Sequence, residues 1–176
     1  MQNEDRLNIL FLMKVFEVGG QEVVTATLAD TFIKKGHQVV IASFKQPNDM
    51  MVKRTNPSVR FYTIGDFKYS KENVDVVRSI LQENHINVVI NQWGLPYVPC
   101  KVLNEAKEGM SIKTIAIYHN SPDTNARIKD VEIALSETHN PFKKAMLYAK
   151  MFVFKQITSR SMKYVYQHTD LYMVLS

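Results

Sequence analysis

Residues 7–44 read LNILFLMKVFEVGGQEVVTATLADTFIKKGHQVVIASF, and this stretch decides the fold. The run from 7 to 13 is short and nearly all apolar, which is typical of a strand buried on both faces. A glycine pair, Gly19 and Gly20, then precedes an amphipathic helix that is predicted to end at Gly36. The run from 39 to 42 predicts a second strand, so the stretch forms a βαβ unit. Backbone N–H groups at such a turn lack partners and suit a phosphate or another anion.

Composition favours one globular domain, because the 176 residues are 45% hydrophobic and 22% charged. The net charge of +5 suits a nucleic acid, an anionic membrane surface or a phosphorylated substrate, without choosing among them. The single cysteine, Cys100, excludes an internal disulfide and favours a cytoplasmic protein with a buried, inert thiol. Since no apolar stretch approaches the roughly 20 residues that span a bilayer, we expect a soluble or at most peripheral protein.

Strands and helices alternate along the rest of the chain. Further strands are predicted at 59–64, 86–91, 112–118 and 171–176, and a loop at 46–49. Helices are predicted from the N-cap Ser70 to Leu81, over 97–107, and over 141–168 with a break near Thr158. This alternation predicts an α/β, Rossmann-like three-layer domain with a mostly parallel sheet. A doubly wound fold normally continues into a helix after such a strand, so we expect the sequence to be a fragment.

Polar and aromatic residues follow two of the predicted strands. His119 and Asn120 come directly after the strand at 112–118, and Trp93 comes after the strand at 86–91. Open α/β sheets place their ligand sites at this carboxyl edge, and polar-aromatic loops suit sugar binding. A lone histidine is more often an ordinary hydrogen-bonded residue, and this alternative stays open for His119.

The glycine pair also has a simple alternative, namely a tight turn without a ligand. Glu22, in the first turn of the helix, is equally explained by its favourable interaction with the helix dipole. The chain contains neither a GxGxxG fingerprint nor a GxxxxGK[ST] loop, which argues against kinases, P-loop proteins and ordinary nicotinamide enzymes. The histidines and Cys100 have no metal-ligand spacing.

The segment from 138 to 169 is basic and aromatic, and it contains no acidic residue. As an amphipathic helix over 142–168 it could rest on an anionic membrane surface. We favour a core-packing helix with a solvated lysine face over this alternative. Nucleic-acid binding is a weaker third interpretation, because no known motif accompanies the charge, and we expect no nucleic-acid partner.

Taken in order, these segments resemble the N-terminal domain of a family 4 glycosyltransferase, which has the GT-B architecture. The resemblance rests on the turn at 19–22, on the helix end KGHQV at 35–39, and on the strands NVVIN at 87–91 and IAIYHN at 115–120. The closing TDLYMVLS at 169–176 is similar to the strand that precedes the second domain in that family. The match covers nearly the whole chain.

The resemblance implies a retaining, metal-free hexosyltransferase that moves a sugar from a nucleotide-sugar donor to a glycan or lipid-linked acceptor in polysaccharide biosynthesis. Gly19 and Gly20 would approach the donor diphosphate, and His119 would be the catalytic residue beside the transferred sugar. Glu22, Trp93 and Asn120 would contact the sugar or the acceptor. The nucleotide-sugar is a substrate, so no cofactor is implied.

By the same resemblance, residues 1–176 are half of a GT-B fold, the N-terminal acceptor-side domain. The C-terminal nucleotide-sugar-binding domain is absent from this chain, so we expect the fragment alone to be inactive. We expect a cytoplasmic enzyme, either free or peripheral at the inner face of the cell membrane. Two other classes stay open: a stand-alone sugar- or nucleotide-binding module, and a basic membrane-surface domain. Whether the gene ends at Ser176 separates the first of these from the enzyme.

Overall fold

The structure of the chain is a computed structural model that describes residues 6–119 and 126–174. These residues contain six strands and six helices. Their order along the chain is β1 Asn8–Met13, α1 Gly20–Lys34, β2 Gln38–Ser43, α2 Asp49–Arg54, β3 Arg60–Thr63, α3 Lys71–Glu83, β4 Val88–Asn91, α4 Tyr97–Ala106, β5 Lys113–Tyr118, α5 Ala126–Glu137, α6 Pro141–Gln167 and β6 Leu171–Val174.

All six strands join one sheet in the order β3-β2-β1-β4-β5-β6, and every neighbouring pair is parallel. The predicted α/β, Rossmann-like class with a parallel sheet is therefore confirmed. Because the order reverses beside β1, the crevice at the carboxyl ends of β1 and β4 is the topological switch point of the sheet.

Helices cover both faces of the sheet, which explains why β1 is apolar at consecutive positions. Leu10 and Leu12 point to the face covered by α3 and α4, and Ile9 and Phe11 point to the face covered by α1 and α2. All four side chains are fully buried. The βαβ unit predicted from residues 7–44 is confirmed, with α1 ending two residues before Gly36.

Local capping explains where two of the helices begin. The hydroxyl of Ser70 accepts a hydrogen bond from the N–H of Asn73, as predicted. The prediction of a loop at 46–49 missed α2, which begins where the Asn48 side chain accepts from the N–H groups of Met50 and Met51. We also made no prediction for α5, in which polar and apolar residues are equally frequent.

Two predictions for the last helix were wrong. The helix α6 is continuous across Thr158, because its i to i+4 hydrogen bonds tolerate Thr and Ser. It is also not a core-packing helix along its length, since of its side chains Leu147 and Val165 are buried. Val165 joins a small cluster with Cys100 and Ala116, and the predicted burial of the Cys100 thiol is confirmed.

The last strand is held at its start by Asp170. Its carboxylate accepts from the backbone N–H and the hydroxyl of Thr114, at 2.8 Å each, and lies 3.5 Å from the Lys113 ammonium. The Thr114 hydrogen bonds, followed by the Lys113 charge, hold the pKa of Asp170 below its usual value. The conspicuous acidic residue before β6 therefore has a structural role.

We predict that Asp170→Ala destabilises the domain by about 1.5 kcal/mol, the low end for hydrogen bonds to a charged group, because the carboxylate is partly exposed. Because the folded pKa is depressed, this contribution is present above the unfolded pKa of Asp and is lost as pH falls through the folded value. Urea denaturation of both proteins at pH 7 measures the effect. Asp66→Ala, which removes an exposed carboxylate paired with Lys68, is the matched control and should change stability by less than about 0.5 kcal/mol.

Candidate functional site

Loops after β1, β4 and β5 meet at the switch point and form the candidate site. The first carries Lys14 and the glycine pair, the second carries Gln92 and Trp93, and the third begins with His119. Parallel strands present their carboxyl ends at one edge, so three distant parts of the sequence converge there. The predicted residues Gly19, Gly20, Trp93 and His119 all lie at this edge, whereas Asn120 lies outside the described residues.

Gly19 and Gly20 form the start of α1 in different ways. Gly19 is the N-cap residue with an extended backbone, and a Cβ placed on it would lie 2.5 Å from a carboxylate oxygen of Glu22. Gly20 is the first helical residue, and no atom lies within 4 Å of the place a Cβ would take. The backbone of the first helical turn is therefore open to a ligand at Gly20, in the position that favours an anion.

Glu22 lies beneath this turn. Its side chain is 7% exposed, and burial is the main cause that raises the pKa of its carboxyl, with the Glu17 charge adding to the effect. A hydrogen bond to its own backbone N–H opposes the shift. A carboxylate that accepts from a free N–H in the first helical turn stabilises the start of the helix. This structural role explains Glu22 without a ligand, and its contact with a sugar stays a prediction.

A chain of hydrogen bonds connects the three loops. The Gln21 side-chain amide donates to the backbone carbonyl of Gln92 at 2.6 Å, and the Gln92 side-chain oxygen lies 2.5 Å from Nε2 of His119. Gln92 itself is 2% exposed. These two side-chain hydrogen bonds therefore hold the glycine turn, the β4 loop and His119 in one arrangement.

This arrangement fixes the proton on the His119 ring. An amide oxygen only accepts, so Nε2 of His119 carries the hydrogen and Nδ1 of the neutral ring is a hydrogen-bond acceptor. Burial lowers the pKa of His119 below its ordinary value of 6.5, which favours the neutral ring at pH 7. The site thus presents a neutral imidazole, suited to accepting a hydrogen bond from a hydroxyl group.

Two buried donors at the site have no partner among the described residues. They are the side-chain nitrogen of Gln92 and the indole nitrogen of Trp93. An unsatisfied buried donor costs about 1–3 kcal/mol, so such groups are rare outside sites that receive a ligand or water. One is an amide N–H and the other an indole N–H, and both can donate to the hydroxyl oxygens of a sugar.

Lys14 contributes a positive charge to the same edge. Its ammonium lies 5.0 Å from the centre of the Trp93 ring and 5.1 Å from that of Phe67. The two rings are 6.2 Å apart and hold the lysine by cation–π attraction. A fixed cation beside a helix N-terminus reinforces the preference for an anionic ligand.

Sequence reasoning missed Gln21, Gln92 and Lys14. A usable signal existed for two of them, because Lys14 is the first charged residue after β1 and Gln92 is the residue directly after β4. The first polar residue past a buried parallel strand reaches the ligand edge by topology alone. Gln21 gave no such signal, since a glutamine in a first helical turn is ordinary.

Gly94 sets the distance between the β4 and β5 loops. Its N–H donates to the carbonyl of Ile117 at 2.9 Å, and a Cβ on Gly94 would lie 2.7 Å from that oxygen and 3.0 Å from the N of Tyr118. Both neighbours are backbone atoms and cannot rotate away. Only glycine lets the loop that carries Gln92 approach the strand that carries His119 this closely.

Comparison with known proteins gives one family and a shared fold. The sequence model of Glycosyltransferase Family 4 matches residues 18–176. None of the curated proteins matches the sequence.

Two solved structures share the architecture. An α-glucosyltransferase in complex with UDP and a 13-mer DNA containing an HMU base is 14% identical, with a TM-score of 0.50 over 95% of this chain and 37% of that one. A wide-type short-chain dehydrogenase/reductase from Veillonella parvula, in complex with NADP, is 11% identical, with a TM-score of 0.51 over 95% of this chain and 67% of that one. At these identities both likenesses concern the fold. The chain spans little more than a third of the length of the glucosyltransferase.

We predict that Gly94→Ala costs about 1–3 kcal/mol of unfolding free energy, because the added methyl group overlaps backbone atoms of β5. Gly20→Ala is the matched control, since open space surrounds it, and it should leave stability unchanged or raise it slightly. Urea denaturation of the two variants measures both values. Equal stability of the two would show that the β4 and β5 loops are not closely packed.

We predict that the pKa of His119 lies below 6.5, because burial disfavours the charged ring. We expect no charged partner to raise this pKa. The sign for stability follows from linkage: the unfolded state binds the proton more readily, so the folded state loses stability as pH falls below 6.5. Proton NMR of the imidazole resonances, assigned with His119→Gln, gives the midpoint. A midpoint above 6.5 would contradict the neutral ring inferred from the geometry.

Proposed function

Because this chain belongs to glycosyltransferase family 4, we propose that it is the acceptor-side half of a retaining hexosyltransferase that uses a nucleotide-sugar donor. The donor nucleotide would lie mainly on a second, C-terminal domain outside residues 1–176. The acceptor would be a glycan or a lipid-linked saccharide of polysaccharide biosynthesis, handled in the cytoplasm. The fact that the glucosyltransferase is much longer than this chain supports the division into two halves.

One observation carries this proposal, namely the hydrogen-bonded chain from Gln21 through Gln92 to His119 at the open end of α1. It places a helix N-terminus, which suits a phosphate, beside polar side chains that suit hydroxyl groups. A nucleotide-sugar combines these two chemistries in one molecule. The presence of both features at one sheet edge therefore suits a sugar diphosphate better than a phosphate or a sugar alone.

The glycine turn would receive the donor diphosphate. The N–H groups at Gly19 and Gly20 and the dipole of α1 favour negative charge, and they would stabilise the charge that develops on the leaving diphosphate. Lys14 adds a cation at the same edge. These charges would stabilise the leaving diphosphate without a bound metal or cofactor.

The transferred sugar would lie against the β4 and β5 loops. Nδ1 of His119 would accept a hydrogen bond from a sugar hydroxyl near the reacting carbon, and the Gln92 amide nitrogen would donate one. Trp93 would provide an apolar surface and an indole N–H for the sugar ring. We keep Asn120 and Glu22 as further predicted contacts to the sugar or the acceptor.

The test is a transfer assay on the complete gene product with radiolabelled UDP-glucose, UDP-N-acetylglucosamine and GDP-mannose, and with extracted lipids and glycans as acceptors. We predict label in the acceptor fraction for at least one donor. His119→Ala should lower kcat/KM by about tenfold or more, about 1.4 kcal/mol of transition-state stabilisation. NMR of the product shows whether the anomeric configuration of the donor is kept, as a retaining enzyme requires.

His139→Ala is the matched control, because it removes the same group from the exposed connection between α5 and α6. It should leave the rate unchanged, and circular dichroism should show that both variants are folded. An unchanged rate for His119→Ala would remove His119 from the site. Binding of a nucleotide or sugar without any turnover would instead favour a stand-alone binding module.

A further inference from the structure

The helix α6 carries an apolar stripe on its outside. Phe142 is 89% exposed, and four further apolar side chains are each at least half exposed, namely Met146, Phe152, Val153 and Ile157. At about 100° per residue these five side chains fall within an arc of about 140° of the helix surface. The buried side chains of α6, Leu147 and Val165, lie outside this arc. Gln156 is the polar residue that falls within this arc between 142 and 157. An apolar stripe of this kind on the water-facing side of a helix indicates an interaction surface.

Lysines lie on both sides of the stripe, about 30° beyond Ile157 on one side and about 70° beyond Phe152 on the other. Lys143 and Lys150 project at about 90° on the wheel that begins at Phe142, and Lys144 and Lys155 project at about 210°. The whole of α6 contains six basic residues and no acidic one. The nearest acidic residues before the helix, Asp130, Glu132 and Glu137, belong to α5, where Arg127 and Lys129 accompany them. The nearest one after it, Asp170, accepts hydrogen bonds from Thr114.

Folding does not explain the position of two of these lysines. Lys143 and Lys144 lie in the first turn of α6, at the positive end of the helix dipole, where cations are unfavourable. The N-cap Asn140, whose side chain accepts from the N–H groups of Phe142 and Lys143, starts the helix without their help. These charges oppose the dipole of their own helix. A binding partner therefore explains their position more readily than folding does.

The stripe extends beyond the sheet on the side of the candidate site. The hydroxyl of Ser161 donates to the carbonyl of Leu95, in the loop at the carboxyl end of β4. Nearer the end of the helix, Asp170 reaches Thr114 at the other edge of the sheet. Residues 141–160 precede the Ser161 bond, and at about 1.5 Å per residue they continue for about 30 Å past the carboxyl edge. This half of α6 packs on α5, with Leu147 and Phe154 facing Val131.

We propose that the outward stripe of α6, over residues 142–157 with its flanking lysines, docks on an anionic lipid membrane. Apolar side chains between two rows of lysines match the acyl chains and the anionic headgroups at a bilayer surface. Among the helices of the described residues none has the length and apolar character needed to cross a bilayer, so α6 would lie in the interface plane. The proposal does not depend on sugar transfer, and it places the candidate site at the membrane surface.

The test is co-sedimentation of the chain with sucrose-loaded vesicles of phosphatidylglycerol and phosphatidylcholine, in comparison with vesicles of phosphatidylcholine alone. The chain should bind the anionic vesicles, and its binding to the neutral vesicles should be weaker by about tenfold or more. A triple variant, Lys143→Glu with Lys144→Glu and Lys155→Glu, should weaken binding by about tenfold or more. We leave Lys150 in place because its ammonium contacts the Phe154 ring beside α5.

A second variant tests the apolar contribution. Phe142→Ser with Phe152→Ser removes two exposed rings and should weaken binding by about tenfold at constant charge. The matched controls are Lys35→Glu with Lys53→Glu, and Val24→Ser with Met50→Ser. These exposed residues lie in α1, in its C-cap and in α2, on the opposite face of the sheet. These controls should bind as the unchanged chain does.

Folding of the variants is checked by thermal unfolding. Glutamate at positions 143 and 144 is favourable at a helix N-terminus, so loss of binding in the triple variant is not expected to come from a loss of structure. Loss of binding with the charge variant alone, and none with the serine variant, would overturn the proposal in favour of a purely electrostatic contact such as a nucleic acid. A chain that ignores vesicles and forms dimers that the serine variant dissociates would overturn it in favour of self-association.

Discussion

The close approach of Gly94 to the backbone of β5 is the constraint on which the candidate site depends. The N–H of Gly94 bonds to Ile117, and the missing side chain leaves room for the two loops to meet. That contact brings Gln92 within hydrogen-bond distance of His119, and the backbone of Gln92 in turn receives the Gln21 side chain from α1. Gly94 has no side chain that could bind a ligand. Its close approach to β5 nevertheless sets the geometry of three polar side chains that can bind one, those of Gln21, Gln92 and His119.

The two edges of the sheet differ in how they treat polar groups. At the amino edge, Asn8 exchanges hydrogen bonds with residues 85 and 87, and Asp170 satisfies both donors of Thr114. At the carboxyl edge, the Gln92 and Trp93 side chains keep buried nitrogens without a partner among the described residues. Full pairing stabilises one edge, and incomplete pairing leaves the other ready for a ligand. This asymmetry agrees with the general position of sites in parallel sheets.

The fold was predictable because its main determinants are local. A nearly continuous apolar run, a glycine-started amphipathic helix and a second apolar run suffice to predict a parallel unit, and four more runs extend it. The helix α2 escaped prediction because its start depends on an Asn48 cap within a stretch that otherwise reads as a turn. At the site, His119 and the glycines were found from their place after strands. The partners Gln21 and Gln92 depend on side-chain geometry across 71 positions of sequence, which one sequence does not reveal. The character of α6 was misjudged because its apolar residues indicate burial only when a neighbouring surface exists to cover them.

The central place of β1 has a consequence for how the protein is made. The N–H of Asn8 bonds to the side chain of Asn87, 79 positions later, and β1 gains its β4 neighbour only once that segment exists. A ribosome that adds about 5–20 residues per second needs on the order of ten seconds to produce the intervening chain. During that time one edge of a nearly all-apolar strand has no partner, so the nascent chain is exposed to strand-to-strand aggregation. The strand that organises the finished domain is thus also its most vulnerable segment during synthesis, and the one for which a chaperone would matter most.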